Sequence, residues 1–233
     1  MAAWLSCLGL PVSPEASTLI WHHALAVTYS PAYLEENAGG IRQGWPRIPL
    51  PASENLLRAS AALGAQLAAL LDPDTSAPGI TTGDIRPEIR AIAIPTTTQG
   101  ATRDWRLTAW GHRTDKGITM PGRGHVETRA YTQAEAATEA HADIIGAQTH
   151  DIHLNASTFW KNIPEKIWNC RIGGYQVLKK WLSYRDNSII ARPLTADEVA
   201  HIQNTARRLA AILLLGPALD ASYRAAAAHH FPT

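Results

Sequence analysis

The chain is poor in several things, and each shortage removes a class of protein. Cysteine occurs twice in 233 residues, as Cys7 and Cys170. No C-x-x-C pair and no Cys/His ligand spacing exists, so neither a disulfide scaffold nor a zinc module is written here. A Cys7–Cys170 bridge is the one pairing left open. Two thiols in a chain of this size fit a reducing, cytoplasmic setting. No sign of charge dominates: 21 Lys and Arg face 20 Asp and Glu, for a net +1. Any affinity for a polyanion must therefore come from a local patch. The most apolar run, Leu209 to Leu215, is far shorter than the ~20 residues that span a bilayer. The N-terminus has no basic region ahead of an apolar one. The expectation is a soluble chain with no signal peptide and no membrane partner.

Catalytic signatures are missing as well. There is no G-x-x-x-x-G-K-[ST] loop, no G-x-S-x-G elbow, no Asn/Asp-Pro-Pro-Tyr tetrad, and no G-x-G-x-x-G turn after a strand. Gly122-Arg-Gly124 lacks that context. His22 and His23 are adjacent and would diverge on a helix. His150 and His153 would point to opposite faces of a strand, which argues against a metal pair. The expectation is no catalytic residue and no metal in this chain.

The chain does contain enough to build a core: 45% hydrophobic and 18% charged residues, a globular composition. Tryptophan, at eight, outnumbers phenylalanine, at two. Residues 18–37 read as helix, with Pro31 breaking it and Ser30 capping a second segment. Trp45-Pro-Arg-Ile-Pro-Leu-Pro51 is an extended connector. Residues 53–71 form the clearest amphipathic helix, with Ser53 as its cap, and 72–79 is a loop. Alternation then predicts strands at Ile89–Ile94, Trp105–Trp110 and Asp151–Asn155, with a hairpin turn at Thr114–Gly117. Residues 132–143 predict a short exposed helix, and 175–185 another. Thr195-Ala-Asp-Glu198 is a capping box that opens a helix running to Leu213. Pro217 interrupts it, Leu219 to Ala228 adds a turn or two, and the tail is expected to be unordered.

The fold class implied is α+β: a helical N-terminal part, a central twisted, mostly antiparallel sheet with loops, and C-terminal helices packed on it. The division expected is 1–52 as a helical connector and 53–233 as one recognition domain, made of 53–79, a strand-rich 80–158, and a basic block with helices at 159–228.

That basic block is the most distinctive stretch. Lys161, Lys166, Arg171, Lys179, Lys180, Arg185 and Arg192 stand against only Glu165 and Asp186 between 161 and 192. Bases among aromatics suit a phosphate backbone with bases above it. A solvated helix face would look the same. Gly173-Gly174 could offer backbone N–H groups to a phosphate, or simply permit a positive φ.

Residues 157–223 resemble the C-terminal specificity domain of type ISP restriction–modification enzymes and related fused adenine methyltransferases. The resemblance rests on Phe159-Trp160, Ile163-Pro164, Trp168, the run from Ile172-Gly-Gly-Tyr through Trp181-Leu-Ser-Tyr-Arg185, Arg192-Pro-Leu-Thr-Ala-Asp-Glu198 and Ala206-Arg-Arg-Leu-Ala210. Tyr29-Ser-Pro-Ala-Tyr33 and Pro46–Pro51 resemble the segment that enters that domain. The resemblance implies recognition of a short double-stranded DNA sequence, with catalysis on a methyltransferase and, in full restriction enzymes, a nuclease–translocase. Those domains precede it on the family's polypeptide, and S-adenosylmethionine would belong to the methyltransferase rather than to this chain. It further suggests phosphate contacts by Lys161, Arg171, Lys179, Lys180 and Arg185. Groove contacts would come from Arg103, Arg106, Arg113, Lys116 and Arg123. Gly173, Gly174, Tyr175 and Trp181 are assigned to structure. A degenerate specificity domain acting as a protein adaptor in a phage-defence complex is the competing expectation.

Overall fold

The computed structural model describes residues 2–108, 112–114, 117–119, 125–172 and 174–231. In chain order the first helices are α1 (Ala2–Cys7), α2 (Pro14–Thr28), α3 (Pro31–Glu36), α4 (Ala38–Gln43), α5 (Glu54–Leu71) and α6 (Pro87–Arg90). Strands β1 (Ile94–Thr97), β2 (His112–Thr114), β3 (Gly117–Thr119) and β4 (His125–Arg129) follow, then a 3-10 turn Gln133–Glu135, α7 (Ala136–Glu139) and α8 (Ala142–Ile145). The remainder is β5 (Thr149–His153), β6 (Thr158–Pro164), α9 (Glu165–Trp168), β7 (Arg171–Ile172), β8 (Tyr175–Gln176), α10 (Val177–Ser183), α11 (Asn187–Ile190), α12 (Ala196–Leu214) and α13 (Gly216–Ala228). The α+β class expected from the sequence is the class observed. The chain forms two compact units, one of Met1–Thr75 with Leu214–Thr233 and one of Ser76–Leu213. That grouping is not the cut read at residue 52: α5 and α13 both belong with the N-terminal helices.

In the first unit the expected caps are in place. Ser53 caps α5 through the Leu56 N–H. Ser30 accepts from the Tyr33 N–H and donates to Asp220 Oδ1 at 2.6 Å. Asp220 also accepts the Ala32 N–H, so α13 secures the start of α3. Helix α2 begins earlier than read from its apolar spacing, at Pro14 with Ser13 as cap. Its His23 is buried between Ser60 Oγ and the Pro49 carbonyl, and burial lowers its pKa. Gly64 on α5 lies against the backbone of α2, where an added Cβ would sit 1.8 Å from the His22 carbonyl oxygen. The tail, expected to be unordered, is pinned as far as Phe231, its last described residue. Phe231 N–H donates to the Leu50 carbonyl and Ala52 N–H to that of His229. Both cysteines are free thiols.

In the second unit β1-β6-β5-β4 form an antiparallel sheet, and β2 pairs antiparallel with β3 across the turn read at Thr114–Gly117. Trp160, Ile152 and Ile163 are fully buried. Trp160 Nε1 donates to the Val199 carbonyl, which ties α12 to β6. Of the two C-terminal helices only α12 belongs to the sheet's unit; α13 packs on α2, α3 and α5. Ala196–Ala228 taken whole is long and apolar enough by composition to cross a membrane, more than the short run read from sequence. It is two helices, and α12 buries Arg207 and Arg208.

Two strand expectations and one helix expectation changed. Ile89–Ile94 opens on the end of the one-turn helix α6, for which Pro87 sets the start, and β1 begins only at Ile94. Trp105–Thr108 is outside any strand, since its backbone bonds to separate places: Thr108 N–H to Leu154, and the Leu107 and Trp105 carbonyls to Asn187 and Leu194. Residues 132–143 break into the 3-10 turn, α7 and α8, with Glu135 and Thr138 buried.

The sheet's polar centre explains why Glu135 turns inward. Arg129 grips Asp151 through Nε and Nη2, each at 2.8 Å, and Glu135 through Nη1 and Nη2 at 2.8 and 2.9 Å. Asp151 Oδ1 also accepts the Asn162 N–H. Asn162 is fully buried at φ +61° and bonds Thr149 Oγ1 and the Ala91 carbonyl.

Arg129→Ala leaves two buried carboxylates without their cation and should cost about 3–5 kcal/mol, measured as the shift of the urea midpoint at constant m. Gly64→Ala should cost about 3 kcal/mol by forcing α2 and α5 apart. Gly39→Ala, with open space at its Cβ, should cost nothing in the same assay.

Candidate nucleic-acid interface

The basic block divides into a foot and a tip. Helix α9 buries Ile167 and Trp168, and α10 buries Leu178 and Leu182. Between them the chain makes a minimal hairpin, Arg171 opposite Gln176 and Ile172 opposite Tyr175. Val177 N–H donates to the Cys170 carbonyl, and Gln176 Nε2 to Asn169 Oδ1, so the hairpin is clamped at its foot. Gly174 has φ +85°, which a residue with a Cβ adopts only with strain. Gly174 therefore helps close a hairpin, Ile172 opposite Tyr175, rather than opening a helix. Gly173 lies outside the described residues.

Lys180 extends from α10 over the Tyr175 ring, 4.4 Å from its centroid, and over the Tyr184 ring at 4.8 Å. Both tyrosines are more than half exposed. The ammonium is thus held by two aromatic faces at the surface. Arg171 is exposed and donates to the Gly174 carbonyl. Lys179, next to Lys180 in sequence, is half-buried. Among the five expected phosphate contacts, Arg171, Lys179 and Lys180 fall on one short hairpin–helix segment.

The other two are engaged elsewhere. Lys161 lies on β6 with Nζ 3.8 Å from Glu135 Oε1, at the edge of the Arg129 network. Arg185 stacks over the Trp181 ring at 3.7 Å and donates from Nε to Glu198 Oε1 at 3.3 Å. Glu198 also receives both Nη groups of Arg192. Trp181, assigned to structure, is only partly buried: Arg185 covers it and His201 stacks on it at 5.1 Å. Tyr175, also assigned to structure, stands out in solvent. Leu178 and Leu182 fill the buried face of α10 without Trp181.

Among the expected groove contacts, Arg103 is exposed, and Arg106 is exposed with Nη1 3.3 Å from Asp104 Oδ1. Arg113 sits on β2, with its backbone opposite Ile118. Lys116 and Arg123 lie outside the described residues. Sequence reading missed the Arg129–Asp151–Glu135 unit and the sharing of Glu198 by two arginines. The capping box at Thr195–Glu198 was the visible hint of the latter, and its two bonds are both present.

Glu198 is a carboxylate held by cations. The Arg192 fork brings its pKa down to about 2, with the Thr195 N–H and the charge of Arg185 adding to it against the opposing effect of burial. A depressed carboxyl contributes stability above its unfolded pKa and loses it as pH falls through the folded one. Stability should therefore decline from near pH 4.5, the ordinary carboxyl value, towards pH 2. Glu198→Gln should flatten that part of the decline, read from urea unfolding at a series of pH values.

No curated protein matches the chain. Among solved structures, a nuclease-deletion mutant of the type ISP restriction–modification enzyme LlaGI, in complex with a DNA substrate mimic, is similar at 16% identity and a TM-score of 0.43. The alignment covers 88% of this chain and 16% of that one, and a likeness of that degree does not establish a shared fold. The family match is much firmer. The description of the type ISP C-terminal specificity domain fits residues 11–212, parts of both compact units. The chain belongs to the type ISP C-terminal specificity domain family.

Proposed function

We propose that this chain recognises a short double-stranded DNA sequence on behalf of a type ISP restriction–modification enzyme and carries out no chemistry itself. Its membership of a specificity-domain family is the observation that carries the reading. The surface at 171–184 supports it: three bases on one clamped segment, one of them held between two exposed tyrosines. Such a surface suits phosphate contacts that fix register on a duplex. Base readout would fall to the segment 85–150, where Arg103 and Arg106 are exposed. A methyltransferase, with its S-adenosylmethionine, and a nuclease–translocase would supply the reactions, and the setting would be the cytoplasm.

The near-zero net charge is consistent with modest binding that strengthens when a catalytic partner encloses the duplex. The adaptor reading draws on a different surface. Trp21 and Trp45 are 74% and 92% exposed, and exposed tryptophan is characteristic of protein contacts.

The deciding experiment is selection from a randomised duplex pool at two salt concentrations. An enriched motif with salt-dependent affinity establishes recognition. No binding at low salt supports the adaptor. On the selected duplex, Lys179→Ala with Lys180→Ala should reduce the slope of log K against log salt by about 2, one per lost phosphate contact. Circular dichroism should be unchanged. A folded double variant with native affinity would show that these lysines do not touch DNA.

A further inference from the structure

We infer that the cross-strand pair Ile172 and Tyr175 of the β7–β8 hairpin is a wedge, entering a base step of the bound duplex and parting its stack. The inference rests on the DNA-recognition reading and adds to it a contact made with bases rather than phosphates.

The geometry is specific. Ile172 and Tyr175 are paired directly across the hairpin, so their side chains leave the same face. They are 58% and 60% exposed, an aliphatic and an aromatic group side by side in water. Their support is firm, for the reasons given by the α9 and α10 core residues and by the Val177–Cys170 bond. Around Gly174, among the described residues, no atom lies within 4 Å of an added Cβ. An apolar pair presented on a fixed stalk is a poor use of surface unless something covers it.

Charge selects the occupant. From Cys170 to Arg185 there is no acidic residue, against Arg171, Lys179, Lys180 and Arg185. Lys180 stands over Tyr175 itself. An apolar surface so bordered by cations suits a polyanion that also offers flat apolar faces, which is a description of stacked bases between phosphates. Apolar wedges flanked by bases part and kink base steps, and an aromatic ring stacks on any base it exposes. Lys180, at the edge of the wedge, would meet a phosphate beside the opened step.

The test uses the full chain and the duplex enriched in the selection, or a mixed-sequence duplex if none is enriched, with 2-aminopurine placed at successive positions. Wild type should raise the fluorescence several-fold at one step. Ile172→Ala with Tyr175→Ala should abolish the rise and weaken binding about tenfold, as loss of one base stack implies, while leaving the salt slope unchanged. Tyr175→Phe should keep the rise. Lys179→Ala with Lys180→Ala should lower the slope and still give the rise at saturation. Bound wild type with no rise at any position, or an alanine variant that keeps both rise and affinity, overturns the wedge while recognition stands. A wild-type chain that binds no duplex overturns both. Ile172→Ala alone, with its melting temperature compared, serves if the double variant does not fold.

Discussion

One guanidinium organises the sheet-bearing unit. Arg129 ends β4 and holds Asp151 on β5 and Glu135 in the 3-10 turn at once. Asp151 passes the connection to β6 through the Asn162 N–H. Burial alone would raise the Glu135 carboxyl, but the bonds from Arg129 and the Thr132 N–H outweigh it and keep the group below its ordinary value. A buried charge cluster is stable only when each member is satisfied. Several placements in this unit answer to that condition. The register of three strands is set by it, the inward turn of Glu135 is required by it, and the positive φ of Asn162 is tolerated because its side chain and backbone are both engaged.

The same accounting sorts the bases of the 161–192 block. Where a carboxylate is within reach, the base is spent on the fold. Arg185 and Arg192 share Glu198, and Lys161 leans towards Glu135. Lys180 is set instead against aromatic faces, and Arg171 donates to a local carbonyl. Neither partner neutralises the charge, so the positive potential of the block is concentrated on the hairpin and α10 rather than spread along the segment.

Local signals were readable where they act within a turn or two of chain. Ser30 and Ser53 as caps, Pro31 as a break and Thr195–Glu198 as a capping box all lie within four residues of what they bind. The amphipathic stripe of α5 was equally plain. Reading failed where the deciding partner was distant. Trp105–Thr108 has the alternation of a strand, yet its bonds go to residues 154, 187 and 194. Trp181 has the spacing of a core residue, yet Arg185 and His201 claim it. Arg129 looked like one more loop arginine because its ligands are 6 and 22 positions away. The basic run could be seen, but its division into structural and presented charges depended on where Glu198 and Glu135 came to rest.

The chain's two compact units are not successive along it: the second, Ser76–Leu213, interrupts the first. This has a bearing on the order of events during synthesis. The sheet-bearing unit has all its residues once Leu213 has emerged. The helical unit must wait for α13, since Asp220 supplies the bonds that fix the start of α3 and Tyr223 packs edge-on against Tyr33 at 5.3 Å. Contacts separated by some 190 positions carry a large closure cost. The N-terminal helices, although made first, must therefore remain incompletely packed while the middle of the chain completes its own structure. A sequence inserted between the two halves of such a unit can change without rewriting either half, provided it delivers α13 back to the partners that left before it.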